Sequence, residues 1–295
     1  MKRKTLLADL GLFYAAFIWG STFIIVKSSV ESFSPVLLVG LRFTLAAIFM
    51  LFPILILKKK LFSNIKQGLI LGFFLWLLYI SQTIGLKYTS ASNSGFITGL
   101  FILFVPILGF LFFRIHPRIN KLIAVIVSLI GLWILTGGIV NMNLGDLLTL
   151  LTAFAYAMQL LFADRLSKRN MDPYTLNFQQ FLVTGVLSLV ISIFQGFSFS
   201  VDNSKVLFSI IFLAIFPTFS AFLIQLKAQK FTSPTKVALI FALEPVFAAI
   251  FAWTFGNEEF IWTKAVGGLL IFLGMILSEI KFSRRELACQ FPVKK

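Results

Sequence analysis

One apolar run, Ala238-Leu239-Ile240-Phe241-Ala242-Leu243-Glu244-Pro245-Val246-Phe247-Ala248-Ala249-Ile250-Phe251-Ala252-Trp253, holds a carboxylate and a proline side by side near its middle. With its flanks the run is long enough to cross a bilayer core as a helix, which takes about 20 residues. A carboxylate at that depth costs about 2.5–3.5 kcal/mol on the insertion scale. A proline there removes a backbone donor and kinks the helix. Two roles are open to Glu244: a protonatable coupling site or a site for a substrate cation, or a structural carboxyl satisfied by neighbouring helices beside the Pro245 kink.

The second charged residue within an apolar run is Arg42, about 12 Å along its helix from the start at 1.5 Å per residue. A guanidinium there can bind an anionic group of a solute. It can equally snorkel, or tie its helix to a neighbour's carbonyls, and the structural role is the favoured one. Uncharged polar and aromatic residues form a third set. Trp19 and Thr22 are three residues apart, as are Tyr156 and Gln159, so each pair shares a helix face. Gln82, Gln225, Asn93 and Thr98 add amides and a hydroxyl. Facing lipid, such groups would go unpaired, so they should point inward. Aromatic walls with a few polar groups suit a small amphipathic solute, and Trp19 is the first choice among them. The alternative for each residue is interhelical hydrogen bonding.

Other chemistries find no support. There is no phosphate-loop pattern, no H-E-x-x-H and no G-x-S-x-G. The one cysteine, Cys289, makes neither an internal disulfide nor a C-x-x-C metal pattern, and the one histidine, His116, lies in a basic connection. No enzyme, metal or cofactor is expected. Glu258-Glu259 reads as a solvated loop.

The elements that must position these residues are membrane helices. The 295 residues are 59% hydrophobic and only 13% charged, which excludes a soluble domain. The apolar runs are continuous rather than alternating, which argues for helices over a β-barrel. Ten spans are expected, at about 7–27, 34–57, 67–87, 91–113, 121–139, 145–164, 174–195, 205–226, 233–255 and 263–281. The basic start Met1-Lys2-Arg3-Lys4 followed by an apolar run reads as an uncleaved first helix. Lysine and arginine crowd the connections on the N-terminal side, as in Lys58-Lys59-Lys60, Arg114, Arg118 and Arg165. The other side carries Lys27, Lys87, Lys205 and Lys264. Both termini are therefore expected in the cytoplasm, and the net charge of +15 is mostly a topology signal rather than a nucleic-acid footprint.

The two halves repeat. The stretch from Gln82 to Ser90 matches that from Gln225 to Ser233, with Gln, Lys, Thr and Ser in register. At the same offset Lys121 and Gly131 meet Lys264 and Gly274. Asp9 and Trp19 are spaced as Asp146 and Tyr156 are. Pro35 pairs with Pro173 after a one-residue shift, and a gap places Pro106 opposite Pro245, as matching helix kinks. Five spans per half make the second half enter from the opposite face. Such an inverted-topology repeat places a solute site near the midplane between the halves. Gly267, Gly268, Gly274 and Gly131 read as close helix packing.

The residues also carry a resemblance. Phe17-Ile18-Trp19-Gly20-Ser21-Thr22-Phe23, Leu41-Arg42-Phe43, Tyr88-Thr89-Ser90-Ala91, and Leu243-Glu244-Pro245-Val246-Phe247-Ala248-Ala249 followed by Gly267-Gly268 and Gly274 resemble the EamA family of the drug/metabolite transporter superfamily, over almost the whole chain. The resemblance implies an all-α, ten-helix secondary transporter with a central cavity and alternating access. It implies export of a small metabolite, amino-acid-like or amphipathic, in preference to import or exchange. A non-transporting scaffold is the weaker reading. The expected organisation is a first repeat at 1–140, a second at 141–281 and a basic cytoplasmic tail at 282–295, in the inner membrane. The expected partners are the bilayer and a small-molecule solute, with no nucleic acid; a coupled proton belongs to the first of the two roles open to Glu244, of which the structural one is favoured.

Overall fold

A computed structural model of the chain describes residues 2–113, 119–136, 142–168, 171–196, 204–228, 231, 237 and 240–279. His116, Cys289 and the expected tail at 282–295 lie outside the described residues. Among the described residues every regular element is helical: α1 (Lys2–Val30), α2 (Pro35–Ile56), α3 (Ile65–Gly85), α4 (Ala91–Gly99), α5 (Phe101–Phe113), α6 (Ile119–Thr136), α7 (Leu144–Lys168), α8 (Pro173–Phe194), α9 (Ser204–Leu213), a wide π turn (Ala214–Ser220) leading into α10 (Ala221–Ala228), α11 (Glu244–Phe255) and α12 (Trp262–Glu279). Seven segments are long and apolar enough to cross a membrane: Leu6–Val30, Pro35–Ile56, Ile65–Gly85, Ala91–Phe112, Leu144–Leu166, Pro173–Phe194 and Ser204–Ala228. Three further apolar helices, Ile123–Leu135, Glu244–Phe255 and Trp262–Leu277, are shorter.

Local chemistry sets several helix starts. Ser34 and Asp172 cap α2 and α8 by accepting from Leu37 N and Thr175 N, each with a proline in the first turn, where its missing N–H is no loss. Asn143 and Asp146 cap α7 reciprocally: Asn143 Oδ1 accepts from Asp146 N at 2.9 Å and Asp146 Oδ2 from Asn143 N at 3.3 Å. Asp146 is buried and also accepts from Thr89 Oγ1 at 2.6 Å.

The helices pack so that α2 lies on α8, α6 on α12, α3 on α7 and α8, α1 on α10 and α11, and α4 on α11. Small residues permit the closest of these approaches. A Cβ on Gly267 would stand 2.5 Å from Leu135 N and 2.7 Å from Gly131 O, so α6 and α12 touch backbone to backbone. Gly274 meets Ser128 and Ala124 in the same interface. Between α8 and α2, a Cβ on Gly185 would stand 2.5 Å from Thr44 Oγ1 and 2.8 Å from Thr44 N.

Glu258 differs from the solvated-loop expectation. Its carboxylate accepts from Ala91 N at 2.5 Å, Ser92 N at 3.2 Å and Ser92 Oγ at 2.6 Å. It thereby caps the start of α4, where the first-turn amides have no intrahelical acceptor and the helix dipole favours an anion. Glu259 is exposed as expected. Lys27, at the end of α1, donates to Leu86 O at 3.0 Å and Thr89 O at 2.8 Å, fastening the turn between α3 and α4.

Gly267→Ala should cost about 1–3 kcal/mol by forcing α6 from α12. Gly109→Ala, where a Cβ meets nothing within 4 Å, should be neutral or slightly stabilising. Thermal unfolding of the two variants in one detergent checks the contrast.

Candidate functional site

Three interruptions in the helices build the centre of the molecule. The first is the π turn at Ala214–Ser220, around Pro217. Proline has no N–H, so Leu213 O loses its usual donor four residues on. The π turn supplies the N–H five residues on instead, and Thr218 Oγ1 adds a second donor at 2.7 Å. Thr218 Oγ1 in turn accepts from Arg42 Nε at 2.7 Å, and Pro217 O accepts from Trp19 Nε1 at 2.7 Å. The turn thus joins α1 and α2 to the middle of the span Ser204–Ala228. Sequence reasoning passed over Pro217-Thr218; a proline inside an apolar run, followed by a hydroxyl able to serve the freed carbonyl, was the available signal.

The second interruption is at Ala242–Leu243. Leu243 N donates back to Ile240 O at 3.1 Å, and α11 starts afresh at Glu244, with Phe247 N on Leu243 O at 2.9 Å. Pro245 therefore occupies the first turn of a new helix rather than a kink in a continuous one, and its missing N–H costs no hydrogen bond there. Glu244 consequently lies at the amide end of α11, where the helix dipole favours negative charge. The third interruption is at Leu100, which divides α4 from α5 and precedes Pro106, itself inside α5. Gly95 and Gly99 of α4 lie against Ala248 and Pro245 of α11, so the two broken spans meet near their breaks.

Around these breaks lies a cavity of about 20 Å³ lined by Trp19, Thr22, Leu78, Tyr79, Gln82, Tyr156, Phe222 and Glu244. It holds about one water-sized group, far below the roughly 300–1,000 Å³ of a metabolite pocket, so this conformation is closed around its centre. Aromatic rings do the closing. Trp19 lies 6.4 Å from Tyr156, 5.3 Å from Phe222 and 5.2 Å from Phe241, between ring centroids, and Tyr156 stacks on Phe101 at 4.0 Å. Tyr156 OH donates to Glu244 Oε2 at 3.5 Å, a long bond, and Glu244 is buried.

Five residues singled out from the sequence thus meet at one cavity: Trp19, Thr22, Gln82, Tyr156 and Glu244. Arg42 stands one layer behind, buried, with its guanidinium 4.6 Å over the Tyr79 ring and 5.3 Å over that of Phe43. Thr98 accepts from Gln82 Nε2 at 3.3 Å and so orients a lining residue without lining the cavity. Asn93 N donates to Ser90 Oγ at 3.1 Å in the α4 cap, and its buried Oδ1 has no partner among the described residues. Gln159 and Gln225 are buried but stand outside the lining. Tyr79 and Phe222 were missed. Each lies three residues before a glutamine already singled out, Gln82 and Gln225, and the same offset relates both pairs, so helix-face reasoning could have found them. Among the described residues no three His, Cys, Asp or Glu side chains come together as a metal site.

Thr218→Val should leave the buried Arg42 Nε without its acceptor, at about 1–3 kcal/mol. Thr218→Ser should retain most of the stability. Thermal melts of the two variants separate the hydroxyl's role from the side chain's volume.

Known proteins now place the chain. The model of the EamA-like transporter family matches it twice, over residues 6–137 and 143–279. An uncharacterized transporter of Archaeoglobus fulgidus is 32% identical over 278 residues, covering 94% of this chain and 87% of that protein. The uncharacterized transporter YoaV of Bacillus subtilis is 23% identical, covering 94% and 98%. One crystal structure aligns with a TM-score of 0.69 over 92% of this chain and 96% of its own, at 19% identity, which is a likeness of fold alone. The chain belongs to the EamA-like transporter family.

Proposed function

We propose that the protein is a secondary transporter that carries a small metabolite, amino-acid-like or amphipathic, across the cell membrane by alternating access, with export favoured over uptake. In this reading the chain forms ten transmembrane helices in two inverted five-helix repeats, with both termini in the cytoplasm. The solute binds at the midplane between the halves. The observation that carries the reading is the cavity itself. A buried carboxylate, Glu244, and the matched residues Trp19 and Tyr156 converge on it, and the rings around it close it. Lipid-facing packing gives no reason to bring a carboxylate, a glutamine and a threonine to one enclosed point.

The helix contacts support the repeat. Exchanging the halves turns the packing of α3 on α7 into that of α10 on α1, and pairs α2 with α8 and α6 with α12. The basic residues on the N-terminal side support the orientation.

In the mechanism, the halves rock about the cavity and the aromatic rings part on one face at a time. The three helix breaks supply the bending points, because at each of them the regular i→i−4 ladder is interrupted. Glu244 takes up a proton or a substrate cation when wetted and releases it on the other face. Arg42, behind Tyr79, holds the wall in place.

Metabolite profiles of cells with and without the protein should identify a solute whose internal level falls with expression, and that solute should move through the purified protein in liposomes. Glu244→Gln should abolish the dependence of that flux on a pH gradient while leaving expression intact. Gradient dependence unchanged in Glu244→Gln would remove the coupling role.

A further inference from the structure

The cavity is built from matched pairs, but only in part. Trp19 and Tyr156 correspond, and Tyr79 and Phe222 correspond at the offset that relates Gln82 to Gln225. All four rings line the cavity. Thr22 and Gln82 line it too, yet their counterparts Gln159 and Gln225 do not. Those counterparts are buried, 2% and 1% exposed, and each leaves a polar atom unpaired among the described residues: Gln159 Oε1 and Gln225 Nε2. Behind Gln159 stands a head-to-tail amide chain. Gln159 Nε2 donates to Gln180 Oε1 at 3.2 Å, and Gln180 Nε2 to Asn177 Oδ1 at 2.6 Å. Asn177 is fully buried and its Nδ2 is unpaired as well.

Chain direction separates the two sets. Thr22 and Gln82 follow Trp19 and Tyr79 by three residues on helices that run away from the N-terminal face in the ten-helix arrangement. Gln159 and Gln225 follow Tyr156 and Phe222 by three residues on helices that run towards it. Three residues are about 4.5 Å along a helix, so one polar shelf lies on each side of the ring layer. The polar groups on the N-terminal side are buried outside the cavity here, with an acceptor and two donors unpaired among the described residues. Buried amides left in that condition cost about 1–3 kcal/mol each, which a molecule that only had to pack would avoid by using apolar side chains.

We infer that Gln159 and Gln225, backed by Gln180 and Asn177, form a second solute subsite on the N-terminal side of the ring layer, which takes uncharged groups carrying both a donor and an acceptor, such as an amide or a hydroxyl. The inference rests on the two-repeat reading above. It adds that the solute passes from a shelf beside Glu244 to a neutral amide shelf as the halves exchange roles.

The test is single-cysteine labelling in a Cys289→Ser background, in vesicles of known orientation. It uses two membrane-impermeant methanethiosulfonates, one carrying a trimethylammonium group and one a sulfonate. Gln159→Cys and Gln225→Cys should label from the N-terminal face, and Thr22→Cys and Gln82→Cys from the other. Each should react at least about tenfold faster from its own face, because thiol reactivity follows access. The cationic-to-anionic rate ratio should be lower at Gln159→Cys and Gln225→Cys than at Gln82→Cys, which shares its cavity with Glu244. Silence of Gln159→Cys and Gln225→Cys from both faces, or labelling from the same face as Gln82→Cys, overturns the subsite and leaves the central site standing. A higher ratio at these two positions than at Gln82→Cys overturns its neutral chemistry. Silence at all four positions overturns the central site as well. Each variant is first checked for unchanged elution from a sizing column.

Discussion

Hydrocarbon offers no hydrogen bonds, so a polar group placed among membrane helices must find its partner within the protein. The centre of this molecule is organised by that constraint. Pro217 frees a carbonyl, Thr218 serves it, and Arg42 and Trp19 complete the turn. Glu258 serves the amides at the start of α4, and Asp146 serves those at the start of α7. At the π turn and the start of α4 the backbone is held by side chains from distant parts of the chain, Trp19 and Glu258, and at the start of α7 by the local pair Asn143 and Asp146. The helices are consequently locked together where they are individually weakest. Trp19 shows the economy of the arrangement: its indole N–H closes the π turn while its ring closes the cavity.

Much of this was legible in the residues and some was not. The helical class follows from continuous apolar runs, and the polar residues that could not face lipid were rightly expected inside. Trp19, Thr22, Gln82, Tyr156 and Glu244 could be drawn together because spacing on a helix face and correspondence between halves are both one-dimensional signals. The breaks were harder. A proline announces a missing donor, but only three dimensions show whether the chain bends, widens into a π turn as at Pro217, or starts a new helix as at Glu244-Pro245. Glu258 was misread because an acidic pair in a polar connection looks the same whether it faces water or caps a helix far away in sequence. Tyr79 and Phe222 were passed over because rings in an aromatic-rich chain carry little signal singly; only their shared offset marks them.

On the proposed reading the same constraint explains the motion. Helix ends held by side chains can be released and re-formed, whereas a continuous ladder cannot bend without losing bonds. The rings of Trp19, Tyr79, Tyr156 and Phe222 are suited to closing a path because each fills a large volume with a mostly apolar face. Glu244 is the asymmetric element. Its counterpart in the first half is Val105, so the backbone break is common to both halves while the carboxylate belongs to one.

The central claim is that the closed cavity beside Glu244 is where the solute sits. It is tested most directly by determining the structure of the protein in lipid with the transported solute bound. The account predicts an enlarged central cavity with the solute in contact with Trp19, Tyr156 and Glu244. A bound solute elsewhere, with those three side chains still packed together as they are here, would contradict it.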